Sequence, residues 1–320
     1  MPSGRAPVTP WTHDLMDLHY PPMRWLALLV GLAALAPAGG LAQYDPFASV
    51  RRVRIGGTEL AYVEQGQGGT PVIFVHGSGA DLRTWGYQLQ FFGKSRRAIA
   101  YSRRYHHPNR FEGDGSDYAP ALHADDLAGV ITTLTGGRAD IVAASYGGVV
   151  ALLVARDRPA LVRRLVLVEP VAFGLLPDDA PEAAGLDAIE NARRHMRAGD
   201  PEAALRTFVQ AIIAPWAFDL MPGSTRSMLY DNIRELEAEA RAPLVSLEPR
   251  YTCGDARRVR AETLLIVGGA SAPLLKATSD RVARCLADVE TRTIEGAAHA
   301  VHAQQVQAFN GAVIEFLDRR

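Results

Sequence analysis

The chain has 320 residues, 48% hydrophobic and 22% charged, so it has enough apolar material for a core and lies outside the compositionally disordered class. Lys and Arg number 34 against 35 Asp and Glu, a net charge of −1, which argues against a cationic nucleic-acid-binding surface. Its two cysteines, Cys253 and Cys285, are too few for a disulfide-built scaffold or a four-cysteine zinc site.

The N-terminal stretch departs from the globular pattern. Met23-Arg24, the apolar run Trp25–Leu35 (WLALLVGLAAL) and the small residues of APAGGLAQ have the form of an export signal. Gly40 and Ala42 would flank the cleavage point and leave Gln43 as the mature start. The run is shorter than the roughly 20 apolar residues of a membrane span; an uncleaved anchor is the alternative. Residues 1–22 match neither signal nor core, so a leader is expected over 1–42, with the signal at 23–42 and translation starting at Met23. The expected location is periplasmic or secreted, with no stable membrane insertion after cleavage.

Beyond Gln43, short apolar runs alternate with amphipathic stretches, the rhythm of an α/β protein whose mostly parallel sheet is flanked by helices. Val53–Ile55 and Leu60–Glu64 predict a hairpin about Gly56-Gly57. Pro71–Val75 predicts a buried strand running into His76-Gly77-Ser78-Gly79. Ala98–Tyr101 predicts another, followed by a polar loop from Arg103 to Tyr118. Leu122–Leu134 reads as a helix, Ile141–Ala144 as a strand delivering Ser145, and Val149–Ala155 as a strongly apolar helix. Leu165–Val168 is a strand ending at Glu169-Pro170. From Ala172 to about Arg260 the pattern turns helical, punctuated by Pro181, Gly199-Asp200-Pro201 and Pro222-Gly223. Strands resume at Thr263–Val267 and Val289–Ile294, before a last helix toward Leu317. Residues 43–320 are therefore expected to form one α/β domain with a helical cap inserted at about 172–260.

The segment Ile141-Val142-Ala143-Ala144-Ser145-Tyr146-Gly147-Gly148 carries the chemistry. A strand places a serine on a sharp turn and a helix starts at once, which requires small residues two places to either side; Ala143 and Gly147 meet this need. The plainer alternative is a serine capping an ordinary helix. With His76-Gly77-Ser78-Gly79 before it and Gly296-Ala297-Ala298-His299 after it, each at the end of a predicted strand, the sequence resembles the serine-nucleophile branch of the α/β-hydrolase fold, with a helical cap. The resemblance runs from Arg51 to Phe316.

That resemblance implies Ser145 as nucleophile and His299 as general base, with His302 the competing histidine. It implies an oxyanion hole from the N–H groups of Ser78 and Tyr146, with Gly77, Gly79 and Gly147 as supporting turn glycines. Most relatives place an aspartate just beyond the strand corresponding to Thr263–Val267, where this chain has Ser271. Some members instead draw the acid from the end of the preceding strand, so Glu169 is the candidate acid. Its alternatives are a glutamate that merely opens the cap, with Asp255 or Asp280 as the acid. A serine at the turn sets the chain apart from the dehalogenases and epoxide hydrolases of this fold, which use aspartate there. The implied activity is hydrolysis of a small or medium carboxylic ester or related acyl bond, on a small-molecule substrate and with no cofactor. The alternatives are a lyase, a C–C hydrolase, a cofactor-free haloperoxidase-like enzyme, or a receptor with little catalysis.

Other clusters read more plainly. Tyr105-His106-His107-Pro108, and His123 with Asp125-Asp126, lack metal-site spacing and suggest a solvated loop and helix face, so no metal is expected. Glu235 and Glu239 share a helical face and, with Glu237, Arg234 and Arg241, suggest solvated charge. Trp216, Phe218, Met221, Met228 and Tyr230 would pack the cap or line an acyl pocket. Cys253 and Cys285 flank the seventh strand and would pair in an oxidising compartment or stay free. For the leader, mass spectrometry of the exported protein is expected to show an N-terminus at Gln43; a mature chain retaining Trp11 would overturn that expectation.

Overall fold

Eight strands form a single sheet: β1 (Arg51–Ile55), β2 (Thr58–Gln65), β3 (Val72–Val75), β4 (Ala98–Tyr101), β5 (Ala139–Ala144), β6 (Val162–Val168), β7 (Glu262–Gly268) and β8 (Val289–Ile294), in the order β1-β2-β4-β3-β5-β6-β7-β8. The structure is a computed structural model; it describes residues 49–110, 113–177, 180–181, 184–242 and 251–319. The expected leader lies outside these residues. The β1–β2 and β2–β4 pairs are antiparallel and the other five are parallel. The hairpin closes through Gly56 and Gly57 at φ 52° and 86°, two left-handed residues in succession, as a tight hairpin turn requires.

Burial follows topology. All four residues of β3 and all six of β5 are buried, because helices cover both faces of a parallel sheet. The outer strands β1 and β8 instead mix buried and exposed positions. The helices flanking the sheet are α1 (Gly86–Phe92), α2 (Pro120–Thr135) and α3 (Tyr146–Asp157). α2 opens on Pro120 and ends at Gly136 with φ 78°, the usual polarity of proline at the start and glycine at the end. Every residue of α3 from Tyr146 to Ala155 is buried, so this helix lies in the core. Its unbroken Val, Ala and Leu content follows from that position.

Between β6 and β7 the chain forms α4 (Ala184–Arg197), α5 (Pro201–Ile212), α6 (Gly223–Asp231), α7 (Ile233–Arg241) and the short α8 (Cys253–Ala256). This insertion has its own apolar cluster, including Met196, Leu205, Val209, Phe218, Leu229 and Leu236. Phe218 is buried and Met221 packs against the cluster, whereas Trp216 is 53% exposed and Tyr230 38% exposed. After β7 come α9 (Pro273–Cys285), α10 (Val301–Gln304) and α11 (Val306–Leu317). No helix among the described residues is long and apolar enough to cross a membrane.

Cys253 and Cys285 form a disulfide that joins the start of α8 to the end of α9. The bridge spans a sequence separation of 32 residues, and restricting a loop of that length in the unfolded chain is worth about 3–4 kcal/mol. Cys285→Ser is expected to lower the unfolding free energy by about 3 kcal/mol in a guanidinium titration. An unchanged midpoint would show that the bridge adds nothing to stability.

Candidate functional site

Parallel strands share one carboxyl edge, and the turns leaving that edge hold the residues singled out in the sequence. Ser78 follows β3, Ser145 follows β5, Glu169 follows β6 and His299 follows β8. Ser145 has φ 54° and ψ −122°, a left-handed conformation that costs a non-glycine residue about 1–3 kcal/mol. It is held there by its N–H donating to the Val168 carbonyl at 2.9 Å and its carbonyl accepting from Gly148 N–H at 2.9 Å. The glycines around it are sterically required. A Cβ on Gly147 would lie 2.5 Å from the His76 carbonyl oxygen, and one on Gly77 would lie 2.8 Å from Ser145 Cβ. The turn carrying Ser78 therefore packs directly on Ser145. Gly79 has φ 64°, and a Cβ there would lie 2.9 Å from Leu229 Cδ2 of the insertion.

Glu169 is fully buried and has φ 43°. Its Oε2 accepts from His299 Nδ1 at 2.7 Å and its Oε1 accepts from Gly268 N–H at 2.8 Å. A carboxylate only accepts, so this contact places the imidazole proton on Nδ1 and leaves Nε2 as the basic nitrogen. Burial alone would raise the Glu169 carboxyl, but His299 and the Gly268 N–H together hold it below the ordinary carboxylate value. The loop bearing His299 is tied to the end of β7 by Gly269 N–H to the Ile294 carbonyl at 2.9 Å and Ala270 N–H to the Ala297 carbonyl at 2.8 Å.

The competing residues lie elsewhere. His302 is buried, with Nε2 3.0 Å from Thr84 Oγ1 and its ring 4.4 Å from that of Trp85. Burial and the neighbouring His299 push its imidazole down to about 3. Asp255 closes a capping box with Thr252 at the start of α8, and Asp280 is exposed.

Two sequence readings are corrected. His106 and His123 are fully buried and Asp126 nearly so, where a solvated loop and helix face were expected. Burial lowers both histidines well below the ordinary imidazole value, with Arg103 adding to the effect, so they pack as neutral rings, His123 against Tyr118, Tyr146 and His106 and His106 also against His76. Among the described residues, no group of three or more His, Cys, Asp or Glu could hold a metal ion.

The second correction concerns Glu235, expected in solvent but fully buried. Its Oε2 accepts from Gly79 N–H at 3.2 Å and its Oε1 from the Tyr118 hydroxyl at 2.5 Å, with His106 Nε2 at 3.3 Å. Glu239, one turn on, lies beside Glu235 and the Ser78 hydroxyl. Asn232 also fastens the insertion, donating from Nδ2 to Asp81 at 2.9 Å and accepting from His107 N–H at 2.8 Å. The sequence signal was a polar stripe, Asn232, Glu235 and Glu239, flanking the apolar face of Leu236 and Ala240. A cleft between α4, α5 and α7 has Met196, Leu205, Phe208, Leu236 and Glu239 in its walls. Glu239 thus adjoins both the cleft and Ser78.

Residues 72–312 match the model of the alpha/beta hydrolase family. An esterase of Mycobacterium tuberculosis is 32% identical over 151 residues, covering 47% of this chain and 49% of the relative; the match thus spans about half of that protein. The 2-hydroxy-6-oxo-2,4-heptadienoate hydrolase of Pseudomonas putida is 27% identical over 83% of this chain and 95% of its own length. The crystal structure of a bromoperoxidase from Bacillus anthracis superposes with a TM-score of 0.71 at 22% identity, over 85% of this chain and 100% of that one, a likeness of fold.

The acid pair makes stability depend on pH. Burial and repulsion from Glu235 push the Glu239 carboxyl from 4.5 up to about 8. Between those values the folded protein keeps a proton that the unfolded chain releases, so stability falls as pH rises through that window. Glu239→Gln removes this titration. Its melting temperature is expected to gain on wild type as pH rises from 4.5 to about 8, measured by calorimetry; a difference independent of pH would place the carboxyl in water.

Proposed function

The chain belongs to the alpha/beta hydrolase family, and on that premise we propose that it is a serine hydrolase cleaving a small or medium carboxylic ester, or a related acyl bond, through an acyl-enzyme. The observation that carries this reading is the 2.7 Å contact between His299 Nδ1 and the buried Glu169 carboxylate, formed at the same sheet edge as the strained Ser145 turn. Ser145 Oγ attacks the substrate carbonyl carbon as its proton passes to His299 Nε2. The carbonyl electron pair moves onto oxygen, which receives hydrogen bonds from the N–H groups of Ser78 and Tyr146. Glu169 remains ionised and stabilises the imidazolium. Collapse of the intermediate expels the alcohol, which takes the proton from Nε2 and leaves an acyl group on Ser145. Water then attacks that ester, giving a proton to Nε2. The second collapse returns this proton to Ser145 Oγ and releases the carboxylic acid.

The helical insertion acts as a cap, and its apolar cleft beside Glu239 suits an acyl chain of modest length. A second reading is hydrolysis of a carbon–carbon bond in a 2-hydroxy-6-oxo-dienoate-like acid; it is supported by the Pseudomonas putida relative, which aligns along most of both chains. We also propose export of the protein, supported by the Cys253–Cys285 disulfide, since such bonds persist in oxidising compartments.

Fluorophosphonate labelling and hydrolysis of short p-nitrophenyl esters test the reading, and both are expected to disappear in Ser145→Ala. Glu169→Gln is expected to lower kcat roughly 10³-fold without unfolding the protein. Near-wild-type turnover in Glu169→Gln would move the acid elsewhere, and labelling that survives Ser145→Ala would remove the serine from its role.

A further inference from the structure

Arg103 is fully buried, in the loop after β4 where the sequence suggested ordinary polar residues. Its guanidinium faces backbone at the turn after β3. Nε donates to the His76 carbonyl at 3.1 Å and Nη2 to the Gly77 carbonyl at 3.2 Å. The closest carboxylate, Glu235 Oε1, is 4.0 Å away and already accepts from Tyr118. Burying a charge without a tight ion pair is costly, so the position calls for a physical reason.

The peptide group that Arg103 touches supplies one. The Gly77 carbonyl and the Ser78 N–H are two ends of the same planar amide. A cation on that oxygen draws electron density through the amide and strengthens its N–H as a donor. The same carbonyl has a second donor. Arg103 backbone N–H donates to His76 Nε2 at 2.9 Å, which fixes that nitrogen as acceptor. The proton is therefore on Nδ1, 2.9 Å from the Gly77 oxygen. Arg103 thus acts on the Gly77 carbonyl directly and through the tautomer of His76. Glu235 accepts the next amide, Gly79 N–H, at 3.2 Å. Among the described residues, the Ser78 N–H makes no hydrogen bond to protein. On its other side, the guanidinium lies 4.5 Å from the centroid of the Tyr146 ring, the residue supplying the second N–H.

We propose that Arg103 is a positioning residue of the oxyanion hole, clamping the peptide that carries the Ser78 N–H and bracing Tyr146, which carries the other. The inference rests on Ser145 as nucleophile and on those two N–H groups as oxyanion donors. Burial opposes the charge, but Glu235 favours it and the guanidinium stays protonated, so the clamp persists across the working pH range. Because the clamp acts on the developing oxyanion, its loss lowers kcat and leaves ground-state binding nearly unchanged.

Arg103→Lys keeps the charge but loses the planar fork, whereas Arg103→Gln keeps hydrogen-bonding capacity and loses the charge. Both variants are assayed on p-nitrophenyl butyrate, with rates normalised to the fraction of protein labelled by fluorophosphonate. Removing an oxyanion donor outright lowers kcat about 10²–10³-fold, so weakening one is expected to lower it about 10–100-fold, with KM within about twofold. The inhibition constant of an alkyl trifluoromethyl ketone, which binds as a hemiketal oxyanion, is expected to rise by a similar factor. The carbonyl band of the acyl-enzyme in isotope-edited infrared spectra is expected to move to higher frequency. A folded variant with wild-type kcat and an unmoved band overturns the proposal, as does failure of both variants to fold, which would assign Arg103 to stability alone. Absence of fluorophosphonate labelling in the wild-type protein would instead sink the serine-hydrolase reading on which the proposal rests.

Discussion

Between the turns that follow β3 and β5 there is no room for a side chain, and the geometry of the site depends on that closeness. Gly147 faces the His76 carbonyl and Gly77 faces Ser145, so two backbone segments from neighbouring strands pack directly on each other. Ser145 sits at this junction in a conformation that an isolated peptide would avoid. The surrounding hydrogen bonds, from Ser145 N–H to Val168 and from Gly148 N–H to Ser145, maintain that conformation. Strain at one residue is thus sustained by packing across several.

The same sheet edge holds the Glu169 carboxylate. Glu169 leaves β6 in a left-handed conformation beside Ser145, and its longer side chain reaches His299 from one strand nearer the serine than the position after β7. The position after β7 is taken by Ser271, and the Gly268 N–H at the end of that strand supports the carboxylate.

Much of this was legible in the amino-acid order, because it depends on local rules. Buried strands appear as short apolar runs, and a serine between a strand and an apolar helix, with glycine two places on, permits few backbone shapes. β4 and β8 have the bounds that their residue pattern predicts. What escaped is tertiary in origin. Glu235 and Arg103 are side chains that composition assigns to solvent, and their burial depends on partners distant in sequence, such as Tyr118 for Glu235 and the carbonyls of His76 and Gly77 for Arg103. The spacing of Asn232, Glu235 and Glu239 marked the stripe without indicating which way it faced.

Two of the ties that hold the insertion lie on one helix. The insertion's outgoing chain is held where the Leu175 carbonyl accepts from Arg281 at 3.2 Å, and its returning chain is held by the sulfur bond from Cys253 to Cys285. Arg281 and Cys285 lie one turn apart on α9, so a single turn of helix grips both feet of the insertion. Such a support resists a hinge that would swing the insertion off as a unit. Asn232 and Glu235 add further ties to the chain after β3, so the helices over the sheet edge are fixed to the same turn that packs on Ser145.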